Sequence, residues 1–289
     1  MMKSCVIYLL AIFSCTYIDR DAPIDISRLV GRDYRLFQKT KAWELAKAVE
    51  DEDIDKINTI VKNDTSLINQ KEPKYGQTLL MLTVRNQQYR SFKSLLENKA
   101  NVNIYSDFSG SSALIIACEK HNCDPVFVIE LLLYGAKVND IEVGERKEGN
   151  STRFTPLIAA SGTGNLEIVK LLIQKGANVN YKNEYNESAL SASVMTNEYD
   201  VALYLLQHGA DYSSPIFFRE QESREMYAID CLREDFFEID SPLHKKKMKI
   251  VEFLRSKGIE YNDSPIPEYI KEKAQKKYPF SWKDYLKKY

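Results

Sequence analysis

The sequence predicts an all-α, helix-turn-helix solenoid of about six repeats, closed by a C-terminal capping helix. Two recurring strings and a recurring stop predict it. Ala100-Asn101-Val102-Asn103 returns as Ala136-Lys137-Val138-Asn139 and Ala177-Asn178-Val179-Asn180, with weaker copies at Ala210-Asp211-Tyr212-Ser213 and Ile259-Glu260-Tyr261-Asn262. Upstream of the first four copies stand Thr78-Leu79-Leu80, Ser112-Ala113-Leu114, Thr155-Pro156-Leu157 and Ser188-Ala189-Leu190, spaced 34, 43 and 33 apart. Gly135, Gly176, Gly209 and Gly258 immediately precede the later copies of the first string. A fixed period of this length marks supersecondary units that bury their apolar faces on one another.

Each element has a local cause. The hydroxyls of Thr78, Ser112, Thr155 and Ser188 suit helix N-caps, where they accept from backbone N–H groups that have no partner in the helix. Pro156 falls in a first turn, where a missing N–H is harmless. Five residues past each cap lies a small residue, Thr83, Ala117, Ala160 or Ser193, which lets two helices approach closely. A polar break such as Gly162-Thr163-Gly164-Asn165 leads into a second, apolar helix, of which Ile168-Val169-Lys170-Leu171-Leu172-Ile173 is representative. The glycines then stop the second helices, because only glycine takes the left-handed cap conformation without a Cβ penalty. Lys99 holds that place in the second unit and is expected to be strained or differently capped. The array spans 41–262. Its first unit, 41–73, is an N-terminal cap with Trp43, Leu45, Ile54, Ile57, Ile60 and Val61 on its apolar face. Units two to five run near 74–107, 108–140, 152–184 and 185–213, and a sixth, 226–262, carries an insertion. Residues 263–289 read as the capping helix that a stacked array needs over its last apolar face. Seven lysines against three acids over 264–289 also allow a contact with an acidic surface.

The unit resembles the ankyrin repeat. Thr155-Pro156-Leu157-Ile158-Ala159-Ala160 and Gly176-Ala177-Asn178-Val179-Asn180 carry the resemblance most closely. The family's histidine after Thr-Pro-Leu is replaced by Met81, Ile115, Ile158 or Ser191, so its polar bracing is absent and apolar packing carries more of the load. The resemblance implies a non-catalytic protein-binding scaffold with an extended concave face lined by finger tips and first helices.

Composition narrows the chemistry. Among 289 residues, 40 Lys+Arg stand against 41 Asp+Glu, so the net charge gives no support to nucleic-acid binding. Gly-rich phosphate loops, paired carboxylates, HExxH and a Gly-x-Ser-x-Gly elbow are all absent. Cys118, Cys123 and Cys231 read as small buried apolar residues rather than a disulfide framework or a zinc site. His121, His208 and His244 read as surface or capping residues. No catalytic residue, cofactor or metal is expected, and a monomer is.

The candidate partner contacts are Tyr75, Phe108 and Tyr185 at finger tips, and Arg153, which replaces the family's tip glycine. An exposed aromatic offers large apolar area at low rotamer entropy; the same residues could instead act as spacers between tips. Two insertions, 141–151 and 214–248, add surface, and insertions carry function more often than the scaffold does. Phe217-Phe218 and Phe236-Phe237 lie in a stretch, 217–240, with eight acids and three arginines. They either form a docking surface for a basic partner or fill the gap between units five and six. Lys245-Lys246-Lys247 is expected to solvate the start of the last outer helix.

The amino terminus reads as a secretory signal over 1–14. Lys3 precedes an apolar run, Val6–Phe13, far shorter than the roughly 20 residues a membrane span needs. Ile12-Phe13-Ser14-Cys15 resembles the lipobox of bacterial lipoproteins, although Phe13 is bulky for that pattern. The resemblance implies acylation at Cys15 and a lipid-anchored linker over 15–40, with several acyl chains giving stable anchoring. Thr16 rather than Asp follows, which points to the outer membrane facing the periplasm. The function expected on these grounds is an envelope protein that grips another protein, of the kind that resembles an immunity protein blocking a toxin. The alternative is a secreted effector that binds a host protein.

Overall fold

The structure is a computed structural model that describes residues 19–144 and 153–289. The signal segment 1–14, Cys15 and most of the 141–151 insertion lie outside the described residues. Helical pairs follow one another along the chain: α1 (Trp43–Glu50) with α2 (Ile54–Asn63), α3 (Leu79–Asn86) with α4 (Tyr89–Glu97), and α5 (Ala113–Glu119) with α6 (Pro125–Leu133). The series continues with α7 (Pro156–Gly162) and α8 (Leu166–Gln174), α9 (Ala189–Met195) and α10 (Tyr199–Gln207), and α11 (Ala228–Leu232) and α12 (Pro242–Ser256). First helices stack on first helices, α3 on α5, α5 on α7 and α7 on α9, while α2 packs on α4, α6 on α8 and α10 on α12. One apolar cluster runs through the whole stack, from Tyr34 to Tyr261.

The expected punctuation is present. Thr78 Oγ1 accepts from Met81 N at 3.4 Å, Thr155 Oγ1 from Ile158 N at 3.2 Å and Ser188 Oγ from Ser191 N at 3.2 Å. Ser112 differs: its hydroxyl is buried without a partner, and the neighbouring Ser111 Oγ donates instead to Glu142. Thr83, Ala117, Ala160 and Ser193 are fully buried between adjacent first helices. Lys99 does adopt the left-handed conformation, φ +66°, at the glycine position. The last residue of each of the first three tetrads is a staple between units. Asn103, Asn139 and Asn180 donate to the carbonyls of Gly135, Gly176 and Gly209, each at 3.1 Å. Asn139 and Asn180 also accept from the backbone of Asn178 and Asp211.

Both ends of the array differ from expectation. The linker assigned to 15–40 is, from Asp19 onward, part of the folded body. It forms 3-10 turns at Ile26–Arg28 and Tyr34–Phe37, and Tyr34, Leu36 and Phe37 are buried. The physical reason is that α1 has no preceding unit, so this strap covers its apolar face. At the other end the tail is two helices, α13 (Glu268–Lys277) and α14 (Trp282–Lys288), with Pro279 in the break. They form their own small core, in which Ile270, Ala274, Tyr285 and Tyr289 meet Phe236, Ile239 and Trp282. A hairpin also interrupts the helical pattern, with β1 (Phe217–Arg219) antiparallel to β2 (Arg224–Met226).

Tyrosine hydroxyls bind the tail to the irregular segment after α11. Tyr261 donates to Leu232 O at 3.1 Å, Tyr269 to Glu234 O at 3.0 Å and Tyr285 to Phe237 O at 2.6 Å. Tyr289 lies within hydrogen-bond distance of both Arg233 O, 2.7 Å, and Asp235 O, 2.6 Å. A buried carbonyl without a partner is costly, and these hydroxyls supply the donors that a helix or sheet would have given. Arg233, itself buried, returns the contact through Tyr261 O and Tyr289 O, with its guanidinium 3.6 Å from the Tyr261 ring centroid.

Lys247 corrects a further expectation. Its side chain does not solvate α12. It is fully buried, with Nζ 4.0 Å from the centroid of the Tyr289 ring and 5.7 Å from those of Phe237 and Tyr261. Position i+3 on α12 from His244, itself mostly buried, turns Lys247 inward toward the tail.

Two outcomes follow for stability. Tyr289→Phe removes the one hydroxyl proton that Arg233 O and Asp235 O share and should cost about 1–3 kcal/mol, read by urea unfolding. Burial pushes the Lys247 ammonium down to about 8, whereas the unfolded chain holds its proton to about 10.4. Between those values the unfolded state binds more protons, so stability should rise with pH over that window, by up to about 3 kcal/mol. Thermal unfolding at stepped pH should show the rise, and Lys247→Met should flatten it.

Candidate protein-binding surface

Three of the fingers are each held by one buried acceptor. In unit two, Glu72 accepts from the backbone N–H of Lys74 at 2.7 Å, Tyr75 at 3.0 Å and Gln77 at 2.9 Å. At the next insertion-bearing finger, Glu142 accepts from Ser111 Oγ at 2.7 Å and from Phe154 N at 3.0 Å. In unit five, Asn183 Oδ1 accepts from Tyr185 N and Glu187 N, both at 2.9 Å. Three N–H groups on one carboxylate fix a turn whose own backbone cannot satisfy them. These residues were missed in the sequence. The available signal was a polar acceptor five or six residues before the caps Thr78 and Ser188, which the insertion obscures for Glu142.

The predicted tip residues divide into structural and presented ones. Tyr75 is half-buried, and its hydroxyl donates to Leu29 O at 3.1 Å, so it anchors the strap. Phe108 meets the Tyr75 ring edge-on at 5.6 Å between centroids yet is 59% exposed. Tyr185 is 56% exposed at the tip of the fifth unit. Arg153 adopts φ +54° and reaches the carbonyls of Glu142 and Gly144 at 3.4 Å and the Glu184 carboxylate at 3.7 Å. It therefore ties two fingers together.

The aromatic doublets are mostly structural. Phe217 packs against the main core, while Phe218 points out at 59% exposure. Phe237 packs edge-on against Tyr199, and Phe236 sits 5.1 Å from Tyr285 in the tail's core. Phe236 and Phe237 are both half-buried and fill the gap the insertion opens. The acids around them are also engaged. Arg219 pairs with Glu222 and Glu234, Arg224 with Glu222 and Asp230, and Lys277 with Glu238. Four of the eight acids of 217–240 are thus paired within the fold.

The concave side is written by the first helices. Seven residues past the caps stand Arg85, Glu119, Gly162 and Met195, one per unit, so stacking sets them in a row. The row is charged at α3 and α5, small at α7 and apolar at α9, where Met195 is exposed. The strap lies beside its charged end. Ser27 O and Leu29 O accept from Lys74 Nζ, Gly31 O from Gln77 Nε2 at 2.9 Å, and Arg32 O from Asn86 Nδ2 at 2.9 Å. Between strap, α3 and α5 lies a cleft of about 430 Å³ lined by Val30, Gly31, Arg32, Arg85, Glu119 and Lys120. Burial, and then the Glu142 charge, push the Glu119 carboxyl up to about 7.

Nucleophilic chemistry finds little support in these side chains. Burial pushes the free thiols of Cys118, Cys123 and Cys231 up, Cys231 to about 12, and a thiol rather than a thiolate is a poor nucleophile. His208 Nδ1 lies 2.8 Å from Tyr204 O at the end of α10, a capping position. Among the described residues no group of three His, Cys, Asp or Glu is placed to hold a metal, and no helix is long and apolar enough to cross a membrane.

Stacked pairs, fingers and a concave row define a repeat scaffold built for binding. The family described as ankyrin repeats (3 copies) matches residues 45–142 and 128–215, and the chain belongs to it. Its arrays mediate binding to other proteins. The chain is 36% identical over 90 residues to an ankyrin repeat protein of Acanthamoeba polyphaga mimivirus, covering 31% of this chain and 54% of that protein. It is 28% identical over 200 residues to one of Fowlpox virus (strain NVSL), covering 63% and 56%. It is 31% identical over 140 residues to the B-cell lymphoma 3 protein homolog of Mus musculus, covering 48% and 29%. The chain thus spans about half the length of two of these relatives and less of the third.

Two glycines separate backbone strain from finger packing. Gly135 and Gly110 both have positive φ, +88° and +70°. A Cβ on Gly135 would meet nothing within 4 Å, but one on Gly110 would fall 1.5 Å from Val143 O in the next finger. Gly135→Ala should cost about 1–2 kcal/mol from conformation alone. Gly110→Ala should cost clearly more, because backbone must move; chemical denaturation of the two variants side by side checks the order.

Proposed function

We propose that this protein is a non-catalytic grip for a partner protein, working through the exposed finger tips and the concave row. The observation that carries the reading is the row itself. Equivalent positions on four stacked helices present a continuous strip, and the tips beside it expose Phe108 and Tyr185. A rigid surface with aromatic anchors loses little entropy on binding.

Two finer readings stand on separate observations. Lys3, the apolar run to Phe13 and Cys15 support a lipid-anchored bacterial envelope protein facing the periplasm, and the toxin-blocking role of an immunity protein comes from analogy with ankyrin lipoproteins of that shape rather than from any residue. The relatives from mimivirus and Fowlpox virus, ankyrin repeat proteins encoded by viruses, favour instead an effector that engages a host protein. Incorporation of labelled palmitate that Cys15→Ser abolishes is the outcome expected for the anchored protein. Release of unlabelled protein into the medium is the outcome expected for the effector.

The shared claim has its own test. Affinity capture from the source cells should yield one stoichiometric partner, and the double variant Phe108→Ala, Tyr185→Ala should weaken capture at least tenfold, given the usual weight of aromatic anchors. Unchanged capture by the double variant would remove the tips from the interface.

A further inference from the structure

The cleft between the strap and the ends of α3 and α5 holds more positive charge than the protein itself uses. Arg32 is exposed, and among the described residues neither it, Arg85 nor Lys120 pairs with a carboxylate. Arg85 is only partly exposed, and its guanidinium is aimed by its surroundings. Its Nε donates to Gln77 Oε1 at 2.6 Å, and Gln77 is in turn fixed by its bond to Gly31 O. Burial works against the Arg85 charge, so the fold maintains a cation there at a cost. The Arg85 terminal nitrogens have no hydrogen-bond acceptor among the described residues, which leaves the forked donor edge that matches a carboxylate. The strap's own acid is not that ligand, since Asp33 is held by Arg35 at 2.7 Å.

We infer that this cleft is the subsite for an acidic side chain of the partner, so that the gripped segment carries Asp or Glu where it crosses α3 and α5. The inference rests on the protein-binding reading and adds to it the chemistry of the partner. Charge complementarity selects the occupant: Arg32, Arg85 and Lys120 surround the cleft, and Glu119 is the one acid in its lining. Further along the row the charge ends at Gly162 and Met195, so the same segment continues with apolar character. A nucleic acid is a poor match, because its regular phosphates need a basic stripe, whereas this row is basic over one end only.

Glu119 makes the subsite sensitive to pH. The groups facing it are Arg85 on α3, Lys120 just past the end of α5, Arg32 on the strap and Glu142 in the finger. Its carboxyl titrates near 7, so it is largely neutral below that and adds an opposing charge above it. Ordinary Asp and Glu of the ligand are ionised throughout that range. Affinity for an acidic segment should therefore fall as pH rises through 7.

The test is fluorescence anisotropy of the full chain with a labelled peptide alternating Glu and Ser, against its Gln-for-Glu counterpart, at low salt. The Glu peptide should bind at least about tenfold more tightly, and Arg85→Gln should remove about tenfold of that, the usual worth of a charge-assisted pair. Raising the pH from 6 to 8 should weaken the Glu peptide several-fold, and Glu119→Gln should flatten the profile. Equal binding of both peptides, or wild-type binding by Arg85→Gln, would overturn the subsite. So would an oligothymidylate or inorganic phosphate that displaces the peptide at lower concentration than free glutamate does. A captured natural partner separates the two readings: loss on Phe108→Ala, Tyr185→Ala with retention on Arg85→Gln keeps the grip and discards the acidic subsite.

Discussion

No unit of this array can bury its apolar face alone. The first helices of the central units run only seven or eight residues, too short to persist in isolation, and each is apolar along most of its surface. Stability comes from the neighbour. The close approach depends on Thr83, Ala117, Ala160 and Ser193, whose side chains vanish between adjacent helices. The two hydroxyls among them donate to their own helix, Thr83 to Leu80 O and Ser193 to Leu190 O, so a small polar residue serves as well as alanine. A stack built this way has two raw ends, and both demand a cover that the repeat itself cannot supply.

The two ends are covered by different physics. At the first pair the strap contributes apolar side chains, Tyr34, Leu36 and Phe37, and hands its carbonyls to Lys74, Gln77 and Asn86. At the last pair the cover is specified by hydroxyl geometry. After Leu232 the chain leaves the helical pattern, and the carbonyls of Leu232, Arg233, Glu234, Asp235 and Phe237 are met by Tyr261 and by tyrosines of the tail, with Lys247 enclosed among the rings. A greasy contact tolerates small shifts; a set of tyrosine hydroxyls aimed at successive carbonyls does not. The C-terminal cover is therefore the more sharply oriented of the two.

What was legible in the sequence was what depends on near neighbours in the chain. Caps at Thr78, Thr155 and Ser188, the left-handed position of Lys99 and the stops at the glycines all follow from a few consecutive residues. The Asn103, Asn139 and Asn180 staples were visible as a spacing, though their bonds to the next unit were not. The strap was hidden because residues 26–37 have no repeat period, and their burial is decided by α1 and the unit-two finger. Tyr75 has the look of an anchor for a partner, and its true acceptor, Leu29 O, lies 46 residues away in the chain. Lys247 sits in a run of three lysines, where composition points outward; only the arrival of Tyr289 shows that one of the three is enclosed.

The strap also shapes what the concave face can hold. By occupying the side of the unit-two finger it withdraws Tyr75 from the surface and builds one wall of the cationic cleft. The row that is left open runs from a charged end at Arg85 to an exposed apolar end at Met195. Polarity along a rigid strip gives a segment only one favourable direction, since reversing it would set an acid on Met195 and leave Arg85 unpaired. The net charge of the chain conceals this, because it sums over distant acids, among them Glu222, Asp230, Glu234 and Glu238, which are tied up with Arg219, Arg224 and Lys277. For the acidic segment proposed above, the local placement of charge, rather than its sum, sets the direction of binding.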